Sequence, residues 1–277
     1  MGYFLMPRLH IDIESYGTVD LTKVGVYKYA EHPNTQIRCI SVALDDGPVT
    51  TPVKFGDRWP ARYKLDGLEL AAHNAEFERT MLNGLPGRKI GFPQTSIAQW
   101  VCTAAKAAVH ALPRELERLL PALHLDERID PDKRKNMLKL SKPIKGVEPT
   151  PLTHPAEFEK WYRDCEADVA GERAVDRLLP DLIPSERRLW ILDQEINQRG
   201  FPVDMETVQH IIKIRDQHIE ALVAECMELC GYNPTQLAEV RGWLKSKGID
   251  LPDMRAATVL EHMHRDRVLS IRRETAK

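Results

Sequence analysis

The chain has 277 residues, 43% of them hydrophobic, and a formal net charge of −2. This is enough for one large domain or two smaller ones with a sizeable core, and it offers no global basic field of the kind that announces nucleic acid. A local basic groove is not excluded, but a membrane span is: no apolar run approaches the roughly 18 residues one needs. The N-terminal MGYFLMPR is too short for a signal peptide. Five cysteines, odd in number and without a C-x-x-C pair, point to reduced thiols rather than a disulfide framework or a zinc site. Cys226 and Cys230, one helical turn apart, are expected to be buried.

Strand signals cluster at the start. RLHIDIES, VGVYKYAE and QIRCISVALDDG are β-branched or aromatic runs ending in turn residues, predicted as an antiparallel meander. A short strand, LELAAHN, leads into a helix from about Ala75. SIAQWVCTAAKAAVHAL carries apolar residues at helical spacing, and PRELERLLPAL opens with Pro113, suited to a first helical turn. Residues 126–154 are polar and lysine-rich, predicted as a long surface loop with one short helix. A strong helix from about Pro155 to Leu179 is broken by PDLIPSE, after which no strand signal remains. Three or four helices follow, the last running to Lys277. Gly200 and Gly231 mark C-terminal stops, and Asn233, Pro234 and Gln236 read as N-cap, first-turn proline and capping-box acceptor. The pattern predicts an α/β domain over 1–183 and an all-α segment over 184–277. Trp100, Trp161, Trp190 and Trp243 fall on apolar faces and are expected in the core.

Within this frame, RLHIDIES holds the first anomaly. Residues i and i+2 of a strand project to one side, so Asp12 and Glu14 share a face of an otherwise apolar strand. Like charges held that close need a cation or a proton between them. A further carboxylate, Glu78, follows in AAHNAEFERTML, on the first turns of the helix after a strand end. Another lies in WYRDCEADVAGERAVDRLL, where Asp168 borders the apolar stripe and Asp164 is one turn earlier on nearly the same face. A carboxylate there is costly unless it is paired or bound to metal.

D-x-E on the first strand, H-N-x-x-F-E after a later one and A-D-V on a late helix, in that order, resemble the three exonuclease motifs of DnaQ-like (RNase H-fold) 3′–5′ exonucleases. LPDLIPSERRLWILDQEINQRGFPVD further resembles the junction where the proofreading domain of bacteriophage family A DNA polymerases passes into the thumb, matching at Leu192, Asp193, Ile196, Asn197, Arg199, Gly200, Val203 and Asp204. The resemblance covers nearly the whole chain. It implies an RNase H-like mixed sheet flanked by helices, followed by part of a polymerase thumb, in the cytoplasm of an infected bacterial host. It also implies metal-dependent 3′–5′ exonuclease activity with two Mg²⁺ or Mn²⁺ ions held by Asp12, Glu14, Glu78 and Asp168, because hard cations take carboxylate oxygens. Single-stranded DNA 3′ ends and primer–template DNA would be the partners. No polymerase motif is present, so palm and fingers would come from elsewhere, a separate chain being one possibility.

By the same resemblance, Asn74 and Phe77 would fix the second motif or contact the terminal nucleotide, with His73 structural. The basic loop residues Lys133, Arg134, Lys135 and Lys139 read either as a solvated loop or as a phosphate-contacting edge that guides the strand. Lys245, Lys247, Arg265, Arg267, Arg272 and Arg273 are candidates for touching duplex backbone. Two positions depart from the family pattern. Glu78 stands where many relatives carry Asp. Asp164 and Arg163 occupy the places of the tyrosine or histidine that orients water, with Tyr162 six residues before Asp168. Asp164 is then a base or an additional ligand, and activity is expected to be reduced but not abolished. Two other readings stay open. One is a non-catalytic DNA-binding subunit or scaffold of a split polymerase; the other is a stand-alone RNA exonuclease, against which the thumb-like tail argues.

Overall fold

The computed structural model describes residues 6–275; the start of MGYFLMPR and the last two residues of the chain lie outside them. The chain divides into two compact units, one ending at Gly200 and the other beginning at Phe201. The helix that the sequence assigns to the second segment, Pro184–Arg199, therefore packs with the first.

The first unit is built on a five-stranded mixed sheet in the order β3-β2-β1-β4-β5. The strands are β1 (Arg8–Tyr16), β2 (Gln36–Leu44), β3 (Thr50–Val53), β4 (Glu69–Ala72) and β5 (Trp100–Cys102). β1 pairs antiparallel with β2 and parallel with β4, and β5 extends the parallel side. The meander is thus β1-β2-β3. VGVYKYAE is not part of it but lies in helix α1 (Leu21–Glu31). Its alternation of apolar residues mimics a strand, yet Asp20 caps the helix by accepting the Thr22 N–H at 3.0 Å. A break at Gly25, with φ of 75°, lets the helix change direction. The segment WVC, predicted as helix, is instead β5, preceded by a single 3-10 turn and followed by α4 (Thr103–Val109). Trp100, Val101 and Cys102 are all buried, and pairing with β4 outweighs local helical spacing.

Helices α2 (Glu76–Asn83) and α3 (Leu85–Ile90) follow β4. α5 (Leu116–Ala122), α6 (Lys133–Leu140), α7 (Pro155–Leu178) and α8 (Pro184–Arg199) complete the unit. α6 is the short helix expected inside the polar stretch. The two faces of β1 are used differently. Leu9, Ile11 and Ile13 enter the main core with Ile40, Val42, Leu70, Met81, Leu82 and Trp100. His10, Asp12 and Glu14 point to the opposite face, which α7 covers. There Phe158, Trp161, Tyr162 and Cys165 of α7 pack with Cys39 and with Leu140 of α6. A β-bulge between Glu14 and Ser15 ends the regular register, a device that re-aims side chains at strand ends.

The second unit comprises α9 (Met205–Cys230), α10 (Leu237–Ser246), α11 (Ala256–His262) and α12 (Arg267–Thr275). Its core gathers Leu222, Cys226, Cys230, Val240, Leu244, Val259 and Leu269, so both cysteines are buried as expected. Asn233 and Gln236 make the reciprocal contact of a capping box, Asn233 N–H donating to Gln236 Oε1 at 2.8 Å, although the regular helix begins only at Leu237. No helix among the described residues is long and apolar enough to cross a membrane.

Candidate metal centre

The geometry of the centre follows from two repeat lengths. Two strand residues advance about 6.6 Å and four helix residues about 6 Å. A strand and a helix lying side by side can therefore match side chains rung for rung, and β1 and α7 do so in opposite chain directions. Arg8 Nη1 meets Asp176 Oδ2 at 2.7 Å, and His10 Nδ1 meets Glu172 Oε2 at 2.8 Å. The next rung is Asp168, opposite Asp12 and Glu14. The first two rungs join a basic or neutral group to a carboxylate; the third joins carboxylates only.

Among the described residues, Asp12, Glu14 and Asp168 bring carboxylate oxygens to within 4.8 Å of one another. Glu14 and Asp168 are buried and Asp12 half-buried. Burial pushes the Glu14 carboxyl up to about 7, with the Lys133 charge pulling it down and the neighbouring Asp12 pushing it up. Asp12 is raised as well, chiefly by desolvation. Cys165, one turn before Asp168, donates its thiol to Asp12 Oδ2 at 3.2 Å. The cation that enters this rung comes from outside the ladder. Lys133, at the start of α6, ion-pairs with Asp168 and stands 3.9 Å from Glu14 Oε1.

Glu78 is not one of the three mutually close groups, but it is buried on the first turn of α2, and its Oε2 has no hydrogen-bond partner. Burial and then the Asp12 charge hold its carboxyl well above the usual carboxylate range. Asn74 sets that turn: it adopts a left-handed φ of 69°, and its carbonyl accepts the Phe77 N–H at 3.0 Å. Phe77 packs partly buried against the main core. His73 is engaged through both ring nitrogens, to Thr103 Oγ1 at 3.1 Å and to the Arg114 carbonyl at 2.6 Å.

The remaining predicted residues are not among the three converging carboxylates, although the Asp164 charge still bears on Glu14. Asp164 is buried but held by Lys160 Nζ at 3.0 Å, and Lys160 also reaches Asp130 at 2.6 Å. Tyr162 belongs to the aromatic cluster: its ring packs edge-on against Phe158, and its hydroxyl accepts the Phe55 N–H at 3.3 Å. Arg134, Lys135 and Lys139 are exposed, and Lys139 pairs with Glu157 at 2.6 Å.

Sequence reasoning missed four contributors: Cys165, the His10–Glu172 rung, Lys160, and Lys133 as a partner of the carboxylates. The His10–Glu172 rung was reachable, since His10 is two residues before Asp12 and Glu172 four after Asp168, the same periods that align the motif. The chemistry of the donor set suits a hard divalent ion. It consists of carboxylate oxygens alone, one buried carboxylate oxygen nearby is unpaired, and a cationic ammonium already sits against the group.

No family model matches the chain. It is similar to a protein described as a DNA polymerase from Bacillus phage SP02, 34% identical over 293 residues that take in 98% of this chain and 44% of the relative. The chain is thus related to a phage DNA polymerase over nearly all its length and spans less than half the length of that relative.

Proposed function

We propose that the chain is a metal-dependent 3′–5′ exonuclease acting on DNA ends, the proofreading part of a larger family A DNA polymerase. The observation that carries this reading is the third rung of the ladder. Three carboxylates converge where the two neighbouring rungs each set a basic or neutral group against a carboxylate. Such a group needs a cation or a proton to offset its mutual repulsion, and the similarity to a protein described as a phage DNA polymerase supports DNA as the substrate.

Asp12, Glu14 and Asp168 would hold one Mg²⁺ or Mn²⁺, and Glu78 would hold or orient a second through water. When bound, such ions supply an activated water and neutralise charge on the phosphate being cleaved. The chain's own residues prepare this in several ways. The sheet fixes Asp12 and Glu14 on one face, the Cys165 thiol orients Asp12 Oδ2, and the Asn74 turn delivers Glu78. Asp164, tied to Lys160, acts as a positioning group for α7 and for the loop carrying Asp130. Arg134 and Lys135, exposed on α6, would guide the strand's phosphates. Residues from Phe201 onward would form the beginning of a thumb, and palm and fingers would lie elsewhere.

A second reading, a non-catalytic DNA-binding subunit of a split polymerase, draws support from α9, where Ile211, Ile212 and Ile214 are exposed and suited to a protein partner. A time course on 3′-labelled single-stranded and mismatched-primer DNA, with Mg²⁺ or EDTA and an Asp12→Ala/Glu14→Ala control, separates the two. The first reading expects metal-dependent mononucleotide release that the control lacks. DNA binding without release at micromolar protein would leave the second.

A further inference from the structure

We propose that Lys133 is a positioning residue built into the carboxylate centre: without metal its ammonium stands where a divalent cation is held, and cation binding displaces it. The inference rests on reading that centre as a metal site. Three observations carry it. First, Lys133 supplies the positive charge that the third rung lacks, pairing with Asp168 and lying 3.9 Å from Glu14. Second, it is an incomplete partner. One positive charge faces three carboxylates, and 3.9 Å is beyond a hydrogen bond to Glu14, so a divalent ion able to take oxygens from all three satisfies the group better.

Third, α6 is built to let the side chain go. Its far end is anchored by Leu140 in the aromatic cluster, and its middle by Asn136, which donates to the Glu157 carbonyl at 2.9 Å. Lys133 is its first residue, so its flexible four-carbon stem can swing out without the helix leaving α7. An ammonium in this place keeps the carboxylates converged before metal arrives, at the cost of weakening the affinity for metal.

The test measures Mn²⁺ affinity by calorimetry, and the thermal midpoint in EDTA, for the full chain and for Lys133→Met, Lys133→Gln and Arg128→Gln. The last removes an exposed charge from the same stretch of chain. If the ammonium occupies the site nine-tenths of the time, its removal tightens Mn²⁺ binding about tenfold. Both Lys133 variants are expected to show that gain, a lower midpoint in EDTA and a larger upward shift with Mn²⁺, while Arg128→Gln matches the parent. Equal or weaker Mn²⁺ binding in both Lys133 variants, with the parent binding normally, would overturn the role of Lys133 and leave the metal centre standing. An equal gain in Arg128→Gln would overturn it too, as a general charge effect. Absence of Mn²⁺ binding in every form would overturn the metal centre itself and the inference with it.

Discussion

The carboxyl of Glu14 offers a quantitative handle on the centre in its metal-free state. Its folded value of about 7 lies above the ordinary 4.5 because the group is buried beside Asp12. Between those two pH values the folded chain holds a proton that the unfolded chain has released. Stability from this group is therefore fully present below pH 4.5 and is lost as pH rises through 7. At about 1.4 kcal/mol per pH unit the interval corresponds to about 3 kcal/mol. Glu14→Gln removes the titration while keeping the shape of the side chain. In EDTA, urea unfolding between pH 4.5 and 7.5 should show the parent losing about 3 kcal/mol more than the variant over this window. Mg²⁺ should offset much of the parent's loss at the upper end, because metal binds the ionised carboxylate. Parallel pH profiles for the two proteins in EDTA would refute the reasoning, as would a parent that gains stability relative to the variant as pH rises.

Three further outcomes follow from the same geometry. Lys106 is buried, with its ammonium 2.7 Å from Asp176 and 3.0 Å from Asp181, so Lys106→Met should cost about 3 kcal/mol in urea unfolding by leaving Asp176 to Arg8 alone. Asn74 holds a φ of 69°; Asn74→Ala should lose about 1 kcal/mol, while Asn74→Gly stays near the parent. Asp164→Asn should slow nucleotide release about tenfold through disturbed positioning, whereas Asp168→Asn, which removes a proposed ligand, should abolish it; equal losses in initial-rate assays would make Asp164 a ligand.

Much of the centre was readable in the sequence because its residues repeat at the periods of their own elements. Asp12 and Glu14 alternate with Leu9, Ile11 and Ile13, and Asp168 follows the helical stripe of α7. The sheet's edges were less readable. Three apolar residues, Trp100 to Cys102, sit between helical patterns, and only pairing with β4 makes them a strand. VGVYKYAE alternates like a strand, yet a cap at Asp20 and a turn at Gly25 commit it to helix. The part played by Lys133 was beyond local reading: a lysine in a basic loop looks solvated until the fold sets it against carboxylates 35 residues later on α7 and on β1. Likewise Tyr162 looks available to the site by number, but its helical phase turns it into the aromatic cluster with Phe158 and Phe55.

The central claim is that Asp12, Glu14 and Asp168 form a divalent-metal centre, and anomalous scattering from crystals soaked in Mn²⁺ addresses it directly. The expected result is an anomalous peak bonded to oxygens of all three carboxylates, with the Lys133 ammonium withdrawn from Asp168 and a second peak toward Glu78 when a DNA 3′ end is bound. Crystals that show no peak at the cluster, with Lys133 still paired to Asp168, would contradict the account.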